Sequence, residues 1–507
     1  MTKGSLVGTS ATPFIQPSQA VRRRNFFPFH FLWFSIVALE ISVLADPRIA
    51  EADIWFHLRN AQELLTRHAF LRADLYTFTA AGVSLVNYEW LSELPYYLAF
   101  RAWGLGGLLA VCLVLLWLIF AAIYYLALQR GANAGDAALV TMAGVALGCY
   151  SFGPRMLHFG WLCLMVLFLV LERFQQTGRG LWVLPPLFAL WINLHGSWVF
   201  GFVVIGAYIV SGVVEGQWNN VVAERWTPAQ IRRLLVVSAA SFAALFVNPY
   251  GYKLVWYPFD LLFRQKINLD NMGEWVSVNF HSGWGKLAMF MLLTLLAAAW
   301  FSRKPWKLRD VLLATFAVWA SLNHLRFLFF AALILVPILA PRLQLFGPYD
   351  AKKDKPWLNL AITAAIIAMI VAAYPSAAQL QNNIDGQFPR DALRFIQQRQ
   401  ITHRLFSWWD FGGYIEFYAP AIKTFADSRN DIFMDNGVLN DYIKINAIES
   451  PFELLDKYKI DYVLFPVDTR LTYVLDHSTG WHAIYEDKVV KLFERAPVAA
   501  PLKTQLN

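Results

Sequence analysis

An acidic residue stands a few positions beyond the first long apolar run of the chain. Asp53 opens the segment Asp-Ile-Trp-Phe-His-Leu-Arg, and the apolar run before it ends near residue 45. A carboxylate beside aromatic side chains can have its pKa adjusted by burial and can act as a general base. The alternative is that Asp53 only caps the helix that follows, because Asp is favoured at that position.

Further ionisable residues lie in polar segments between apolar runs. In chain order they are Arg155 and His158, then His195, then Glu274, and then His324 and Arg326. Fixed Arg and His donors can stabilise the negative charge of a phosphate group. The alternatives are that His195 and His324 only make hydrogen bonds between helices and that Glu274 is a solvated loop acid.

The elements that must position these residues are membrane helices. The chain is 57% hydrophobic and only 15% charged, with a mean hydropathy of +0.43. This composition is that of an integral membrane protein rather than a soluble domain. Candidate spans are 29–45, 105–128, 136–150, 156–171, 181–194, 197–214, 233–247, 286–300, 311–322, 325–341 and 358–374, with a further membrane-embedded or interfacial helix at 88–103. We therefore predict a polytopic α-helical membrane protein with about 11 to 13 transmembrane helices.

The basic residues predict the orientation of these spans. Arg22, Arg23 and Arg24 place the N-tail 1–28 in the cytoplasm. Counting alternately from there, the cytoplasmic loops are 129–135, 172–180, 215–232, 301–310 and 342–357, so that the basic loops fall on one side. The net charge of +8 is thus a topology signal and does not indicate nucleic acid.

The opposite, outer side then contains the ionisable residues named above. It includes the long loops 46–104 and 248–285 of the transmembrane domain 29–375. The first loop adds His57, Arg59 and Glu89 to the set. Because ionisable residues at membrane depth usually mark a functional site, we expect a catalytic or binding cleft at the outer surface.

The C-terminal residues 376–507 should form an extracytoplasmic α/β domain. The patterns predict helices at 389–398 and 452–458, and strands at 404–407, 422–426, 462–466, 482–485 and 489–493. Alternating helices and strands favour a small open sheet with covering helices.

Two first-loop segments carry a resemblance to a known family. The Asp53–Arg59 segment, followed by Asn87-Tyr88-Glu89-Trp90, resembles the first-loop pattern of GT-C membrane glycosyltransferases, particularly bacterial members related to the oligosaccharyltransferase catalytic subunit. Those enzymes take sugars from polyprenyl-phosphate carriers. The resemblance implies that Asp53 is the catalytic acid that the family places early in this loop.

Two other segments are similar to oligosaccharyltransferase motifs. Ser407–Tyr414 is similar to the Trp-Trp-Asp-Tyr-Gly motif, with Phe411 in place of the tyrosine. The similarity implies that Trp408, Trp409 and Asp410 bind the acceptor, while the alternative is that the two indoles pack the domain against the membrane surface. Gly273-Glu274-Trp275 is similar to the acidic motif of a flexible outer loop, where Glu274 would polarise an acceptor or reach a metal.

One departure from the family pattern concerns a metal. Oligosaccharyltransferases carry an acidic pair in a later outer turn, but residues 152–158 contain no acid and have Arg155 and His158 instead. A divalent cation, Mg²⁺ or Mn²⁺, prefers oxygen ligands, so the metal expectation stays open, with Asp53 and Glu274 as the ligands if one binds. Arg155 would instead recognise phosphate as a permanent cation.

The sequence thus predicts a glycosyltransferase of the bacterial inner membrane. It would move a sugar or glycan from a polyprenyl-phosphate or polyprenyl-diphosphate lipid to a glycan, lipid or protein acceptor at the outer face. Asp53, Glu89 and Glu274 would be catalytic, and the substrates would contact His57, Arg59, Arg155, His158, His195, His324, Arg326, Trp408, Trp409 and Asp410. The alternatives are an oligosaccharyltransferase-like protein glycosylase and a non-catalytic transporter or scaffold.

Overall fold

The computed structural model describes residues 26–45, 49–350, 352–402 and 404–496. Arg22, Arg23 and Arg24, on which the predicted orientation of the N-tail depends, lie outside this range. The two termini of the described chain are a helix and a sheet strand.

Residues 26–372 are almost entirely helical. The helices are α1 (Phe26–Ala45), α2 (Ile54–Arg67), α3 (Trp90–Gln129), α4 (Ala134–Gly148), α5 (Leu157–Thr177), α6 (Leu184–Leu194), α7 (Trp198–Val213), α8 (Pro228–Ala244), α9 (Tyr252–Arg264), α10 (Lys266–Asn271), α11 (Gly283–Phe301), α12 (Leu308–Asn323), α13 (Leu328–Leu339) and α14 (Pro356–Ala372). A small sheet joins two loops at one end of the bundle, in the order β1 (Gly216–Trp218), β2 (Val221–Ala223) and β3 (Trp306–Lys307).

Each of the eleven predicted spans coincides with one of these helices, which confirms a polytopic helical protein. Five helices are long and apolar enough to cross a membrane, and α14 with the next helix would make a sixth if that pair, bent by 53°, is one span. The shorter apolar helices are 29–45, 181–194 and 198–213. The predicted total is 11 to 13 transmembrane helices. Fewer helices among the described residues are long enough to cross a membrane, because several apolar helices have fewer than 18 residues.

The predicted helix at 88–103 is the first part of α3. Gly104 divides α3, since its φ of 59° and ψ of −141° are not helical. A residue with a Cβ would be strained in this backbone conformation, whereas glycine adopts it readily. The part of α3 before the kink carries Glu93 and follows Glu89, and both acids contact His57 of α2.

The C-terminal residues form an α/β domain, as predicted. Its helices are α15 (Ala377–Asp385), α16 (Arg390–Gln398), α17 (Gly412–Tyr418), α18 (Val438–Asn446), α19 (Pro451–Lys457) and α20 (Arg470–Asp476). The strands β4 (Leu405–Ser407), β5 (Tyr462–Pro466), β6 (Trp481–Glu486) and β7 (Val490–Arg495) form one sheet in the order β4-β5-β7-β6. β4 and β5 are parallel, and the other pairs are antiparallel.

The predicted strand 422–426 is wrong. Within it only Thr424 forms bridges, one to Leu405 and one to Thr77 of the first outer loop. The segment does not extend along the sheet because the chain turns immediately afterwards into the buried residues Asp427 and Arg429.

The first outer loop shares its core with the C-terminal domain. Leu71, Tyr76, Ala80 and Leu85 belong to the same buried cluster as the domain's sheet and helices. In addition, Phe78 donates a backbone hydrogen bond of 3.0 Å to the carbonyl of Thr424. The domain boundary predicted at residue 376 stays a prediction, but the first outer loop packs together with the residues that follow this boundary.

Candidate functional site

Asp53 lies at the N-cap position of α2, yet its side chain makes no capping hydrogen bond. The carboxylate instead has the Ser428 side chain as a hydrogen-bonding partner and interacts electrostatically with His57 and Arg155. The capping alternative therefore does not describe this side chain. The carboxylate is held by contacts with Ser428 of the C-terminal domain and with Arg155, which lies in a turn about one hundred residues further along the chain.

The surroundings of Asp53 change its proton affinity. The side chain is exposed on one side, while protein atoms crowd the carboxylate on the others. This desolvation raises the pKa of Asp53 to about 6, although Ser428, His57 and Arg155 each oppose the shift. A carboxylate with a pKa near 6 is ionised at neutral pH and is a stronger base than an ordinary aspartate.

His57 connects two carboxylates one helical turn further along α2. Its Nδ1 lies 2.9 Å from Glu93 Oε1, and its Nε2 lies 3.3 Å from Glu89 Oε2. Asn60 and Asn87 donate further hydrogen bonds to Glu93, at 3.1 and 2.8 Å. Because both ring nitrogens face carboxylate oxygens, the arrangement fits an imidazolium that donates to each of them.

His195 approaches Glu89 from the other side. The backbone N–H of Ser197 donates to His195 Nδ1 at 2.9 Å, so the ring proton resides on Nε2. Nε2 lies 3.1 Å from Glu89 Oε1 and donates to it. Glu89 therefore lies between two histidines that come from α2 and from the turn between α6 and α7.

The contacts of His57 and Glu89 determine the directions in which their pKa values shift. Burial lowers the pKa of His57, but the hydrogen bond to Glu93 and the charges of Glu89 and Asp53 raise it above its ordinary value. Burial raises the pKa of Glu89, but the hydrogen bond and charge of His195 outweigh it, so the net shift is downward. These contacts favour the protonated form of His57 and the ionised form of Glu89.

Arg155 lies between two acids from different loops. Its Nη2 is 2.9 Å from Glu51 Oε2, and its Nη1 pairs with Glu274. Gly153 makes room for this contact, since a Cβ at that position would lie 2.1 Å from Glu51 Oε1. Burial raises the pKa of Glu274, but Arg155 and Arg326 lower it below its usual range. The three side chains form a charged bridge beside Asp53.

Arg326 is a further cation of the site, and its guanidinium forms no ion pair with a described carboxylate. Its backbone N–H donates to the carbonyl of Glu274 at 3.1 Å, and its guanidinium lies 4.9 Å from the Trp275 ring centroid. Among the described residues, no carboxylate forms an ion pair with this guanidinium, although Glu89 and Glu274 feel its charge. His324 Nδ1 binds the carbonyl of Trp275 at 2.7 Å, which fixes the same turn.

We call these residues the charged cluster: Glu51, Asp53, His57, Glu89, Glu93, Arg155, His195, Glu274 and Arg326. Two residues predicted from the segments around Asp53 and Arg155 lie outside it. Arg59 faces away and pairs with Glu63 at 2.5 Å. His158 is fully buried, and its Nε2 binds the carbonyl of Ser151 at 2.8 Å.

The Trp408–Tyr414 segment contacts the site mainly through its glycines. A Cβ at Gly413 would lie 2.9 Å from the backbone nitrogen of Phe56, so α17 packs directly on the helix that carries Asp53 and His57. Trp409 packs inside the domain, with its ring 4.5 Å from that of Tyr442. Trp408 donates to Asp410 Oδ2 at 3.2 Å.

Asp410 is the exposed member of that segment. Burial of its carboxylate group raises its pKa, and the charge of nearby Glu51 raises it further. Acceptor binding by Trp408, Trp409 and Asp410 stays a prediction.

Sequence reasoning missed the segment that presents Ser428. Asp427 and Arg429 are buried, with Arg429 Nε 2.9 Å from Asp427 Oδ1 and Nη2 2.7 Å from Asp74 Oδ1. This network fastens Ser428 to the first outer loop. Two ionisable residues flanking a serine after a hydrophobic run were the signal in the sequence.

A second wall of the site was also missed. Tyr88 and Tyr257 stack with ring centroids 4.3 Å apart, and Tyr257 donates to Asp431 Oδ2 at 3.3 Å. Burial raises the pKa of Asp431 to about 6. Aromatic faces next to an acid are a common surface for a sugar ring or an isoprenoid chain to contact.

The divalent cation stays a prediction. In the described parts of the chain, no group of three or more His, Cys, Asp or Glu side chains has a metal-binding arrangement. Glu274 is paired with Arg155, so a metal at Asp53 and Glu274 would have to displace that guanidinium.

Comparisons with known proteins gave one kind of match. No family model and no curated protein matches the chain. Among solved structures, the fold is similar to that of ArnT from Cupriavidus metallidurans, which was determined bound to undecaprenyl phosphate. The two chains are 13% identical with a TM-score of 0.49, and the match covers 92% of this chain and 97% of that one.

Proposed function

We propose that this protein is a GT-C-type glycosyltransferase that moves a sugar from a polyprenyl-phosphate lipid to an acceptor at the extracytoplasmic face of the membrane. The observation that carries the proposal is a series of contacts: Asp53 interacts electrostatically with Arg155, Arg155 pairs with Glu274, and Glu274 feels the charge of Arg326. These residues come from four separate outer segments of the predicted topology, and a structure with Asp53 remote from Arg155 would have excluded the idea.

Asp53 is proposed as the general base. Its carboxylate would accept the proton of an acceptor hydroxyl or amide as the acceptor oxygen or nitrogen attacks the anomeric carbon. The bond between that carbon and the phosphate oxygen breaks, and polyprenyl phosphate leaves. The raised pKa of Asp53, about 6, supports this role because the group is ionised at neutral pH but still basic.

Arg326 is proposed as the main partner of the phosphate. The leaving group gains negative charge as the sugar bond breaks, and a guanidinium fixed beside it stabilises that charge. Arg326 suits the task because no described carboxylate pairs with it and because Trp275 and the backbone of Glu274 hold its turn in place. Arg155 could join only by loosening its contacts with Glu51 and Glu274.

The histidines and Glu89 are proposed to keep the site charged and ordered. His57 and His195 both bind Glu89, so this carboxylate has a fixed position and a fixed charge. From there it can accept a hydrogen bond from a hydroxyl of the donor sugar or of the acceptor. The exposed apolar surface of the helices would let the lipid chain of the donor enter from the membrane.

The direct test measures release of polyprenyl phosphate from a labelled lipid-linked sugar. Full-length protein in lipid nanodiscs would be mixed with the donor and a membrane extract as the acceptor source. We expect Asp53→Asn to lose at least about 100-fold of the rate, which is a common size for loss of a general base. The matched control is Asp391→Asn, since Asp391 is an exposed acid of α16 far from the cluster. Full activity of Asp53→Asn would reject the base assignment, and activity lost equally in both variants would reject the site.

The product identifies the acceptor class. Label recovered in a glycolipid or polysaccharide would agree with the general proposal. Label recovered on asparagine of a peptide would instead favour the oligosaccharyltransferase-like alternative. Flux of a lipid-linked sugar across liposomes without any transfer would favour the transporter alternative.

A further inference from the structure

A second candidate binding site lies at the far end of α5. There a cleft of about 430 Å³ opens between the loop after α5 and the first turns of α8. Three arginines, Arg179, Arg232 and Arg233, line it together with apolar side chains that include Phe174, Trp182 and Val236. No acidic side chain belongs to its lining. The cleft thus combines a cluster of positive charge with an apolar wall.

The arginines of the cleft retain their charge. All three are exposed, and none forms an ion pair with a described carboxylate. Arg233 makes only a long contact of 3.4 Å from Nη1 to the carbonyl of Gly178 at the end of α5. Three guanidinium groups that repel one another without a counter-charge favour the binding of an anion between them.

The cleft lies at the opposite end of the bundle from the charged cluster. α5 begins at Leu157, next to Arg155, and ends at Thr177, next to the cleft. Its 21 residues span about 30 Å, which is close to the thickness of the hydrocarbon core of a membrane. The two sites are therefore independent, and the arginines lie near the membrane surface on the predicted cytoplasmic side.

The apolar wall continues along α8 towards the middle of the bundle. Leu235, Val236, Phe242 and Phe246 on this helix and on the turn after it are about half exposed, and Trp182 beside the cleft is 69% exposed. From Leu235 to Phe246 the helix rises by about 16 Å, which suits an extended hydrocarbon chain. A phosphate in the cleft would thus have an apolar track leading into the bilayer directly below it.

We propose that the cleft binds an anionic phospholipid of the cytoplasmic leaflet. Its phosphate would lie between Arg179, Arg232 and Arg233, its glycerol region against Trp182, and one acyl chain along α8. Basic pockets at this membrane depth are suited to anionic headgroups because each arginine attracts them while the surrounding bilayer accepts the chains. A free phosphate or a protein partner would leave the apolar track uncovered.

The test is the binding of phosphatidylglycerol to the full-length protein in detergent, measured by native mass spectrometry. We expect replacement of Arg179, Arg232 and Arg233 by Gln together to weaken binding at least about tenfold. The matched control replaces Arg303, Lys352 and Lys355 by Gln, which removes the same charge from exposed positions on the same predicted side. The control variant should bind phosphatidylglycerol like the unmodified protein.

Two further arms separate the lipid from other occupants. Phosphatidylcholine should bind at least about tenfold more weakly than phosphatidylglycerol, and inorganic phosphate should not displace the lipid at equal concentration. If the triple variant does not fold, Val236→Glu tests the same cleft, because its carboxylate would pair with the arginines and lower lipid binding. Any of four results would overturn the proposal: equal loss of lipid binding in the control variant, equal binding of both lipids, displacement of the lipid by phosphate, or unchanged lipid binding in Val236→Glu.

Discussion

The rate of sugar transfer should fall as the pH drops through the pKa of Asp53. With a pKa of about 6, Asp53 is roughly nine-tenths ionised at pH 7 and roughly one-tenth ionised at pH 5. The protonated acid cannot accept the proton of the acceptor, so the rate should decrease about tenfold between these pH values. An aspartate with an ordinary pKa near 3.9 would remain more than nine-tenths ionised at pH 5 and would give almost no decrease.

Glu89, Glu274 and His57 should not produce this decrease. Glu89 and Glu274 have lowered pKa values and stay ionised, while His57 has a raised pKa and stays protonated as the pH falls. Asp431 does titrate near pH 6, so Asp431→Asn is the necessary control and should retain the decrease.

The assay is the initial rate of polyprenyl phosphate release between pH 4.5 and pH 8 with saturating donor, on the protein in nanodiscs. Ser428→Ala removes a hydrogen bond that lowers the pKa of Asp53, so the acid limb should move to higher pH in this variant. A rate that is level from pH 7 to pH 5, or an acid limb that disappears in Asp431→Asn, would refute the assignment of Asp53 as base.

Three other changes have expected outcomes. Arg326→Gln should raise the KM for the lipid donor by about 10- to 100-fold, which is the range for the loss of one hydrogen bond to a charged group. Titrations with the donor would measure this change, and the control variant Arg394→Gln should leave the KM unchanged. Because the pKa of His57 is raised, its ion pair with Glu93 stabilises the fold at pH values below its ordinary value and is lost as the pH rises through the raised value. Unmodified protein should therefore lose melting temperature over that rise, and a His57→Gln variant with the same slope would contradict this. Gly413→Val should cost about 1 to 3 kcal/mol by crowding the helix of Asp53, seen as a lower melting temperature and a lower rate, and unchanged values for both would contradict the close packing.

The helical part of the fold was predictable because its signal is local. Runs of apolar residues with basic loops identify membrane helices directly, and all eleven predicted spans coincide with helices. The errors arise where tertiary contacts decide the outcome. Residues 422–426 have the composition of a strand, yet Thr424 alone is bridged, because the chain turns immediately afterwards into the buried residues Asp427 and Arg429.

The site was predictable only in part for the same reason. Asp53, Glu89, Arg155, His195, Glu274 and Arg326 lie together because the topology places their loops on one side. Glu51 and Asp431 were missed because nothing in their own neighbourhood marks them, whereas Ser428 lies between two ionisable residues that could have marked it. The space that Gly153 leaves for Glu51 exists only once two distant segments have packed.

The core that the first outer loop shares with the C-terminal domain sets an order of events during synthesis. Residues 71–85 leave the ribosome early, but their packing partners begin at Phe406. Roughly 320 residues must be translated in between, which takes on the order of half a minute at typical rates of synthesis. Throughout that interval the nascent loop has no completed surface to fold on, so a ribosome that stalls before Phe406 would expose this segment to proteases on the predicted outer side of the membrane.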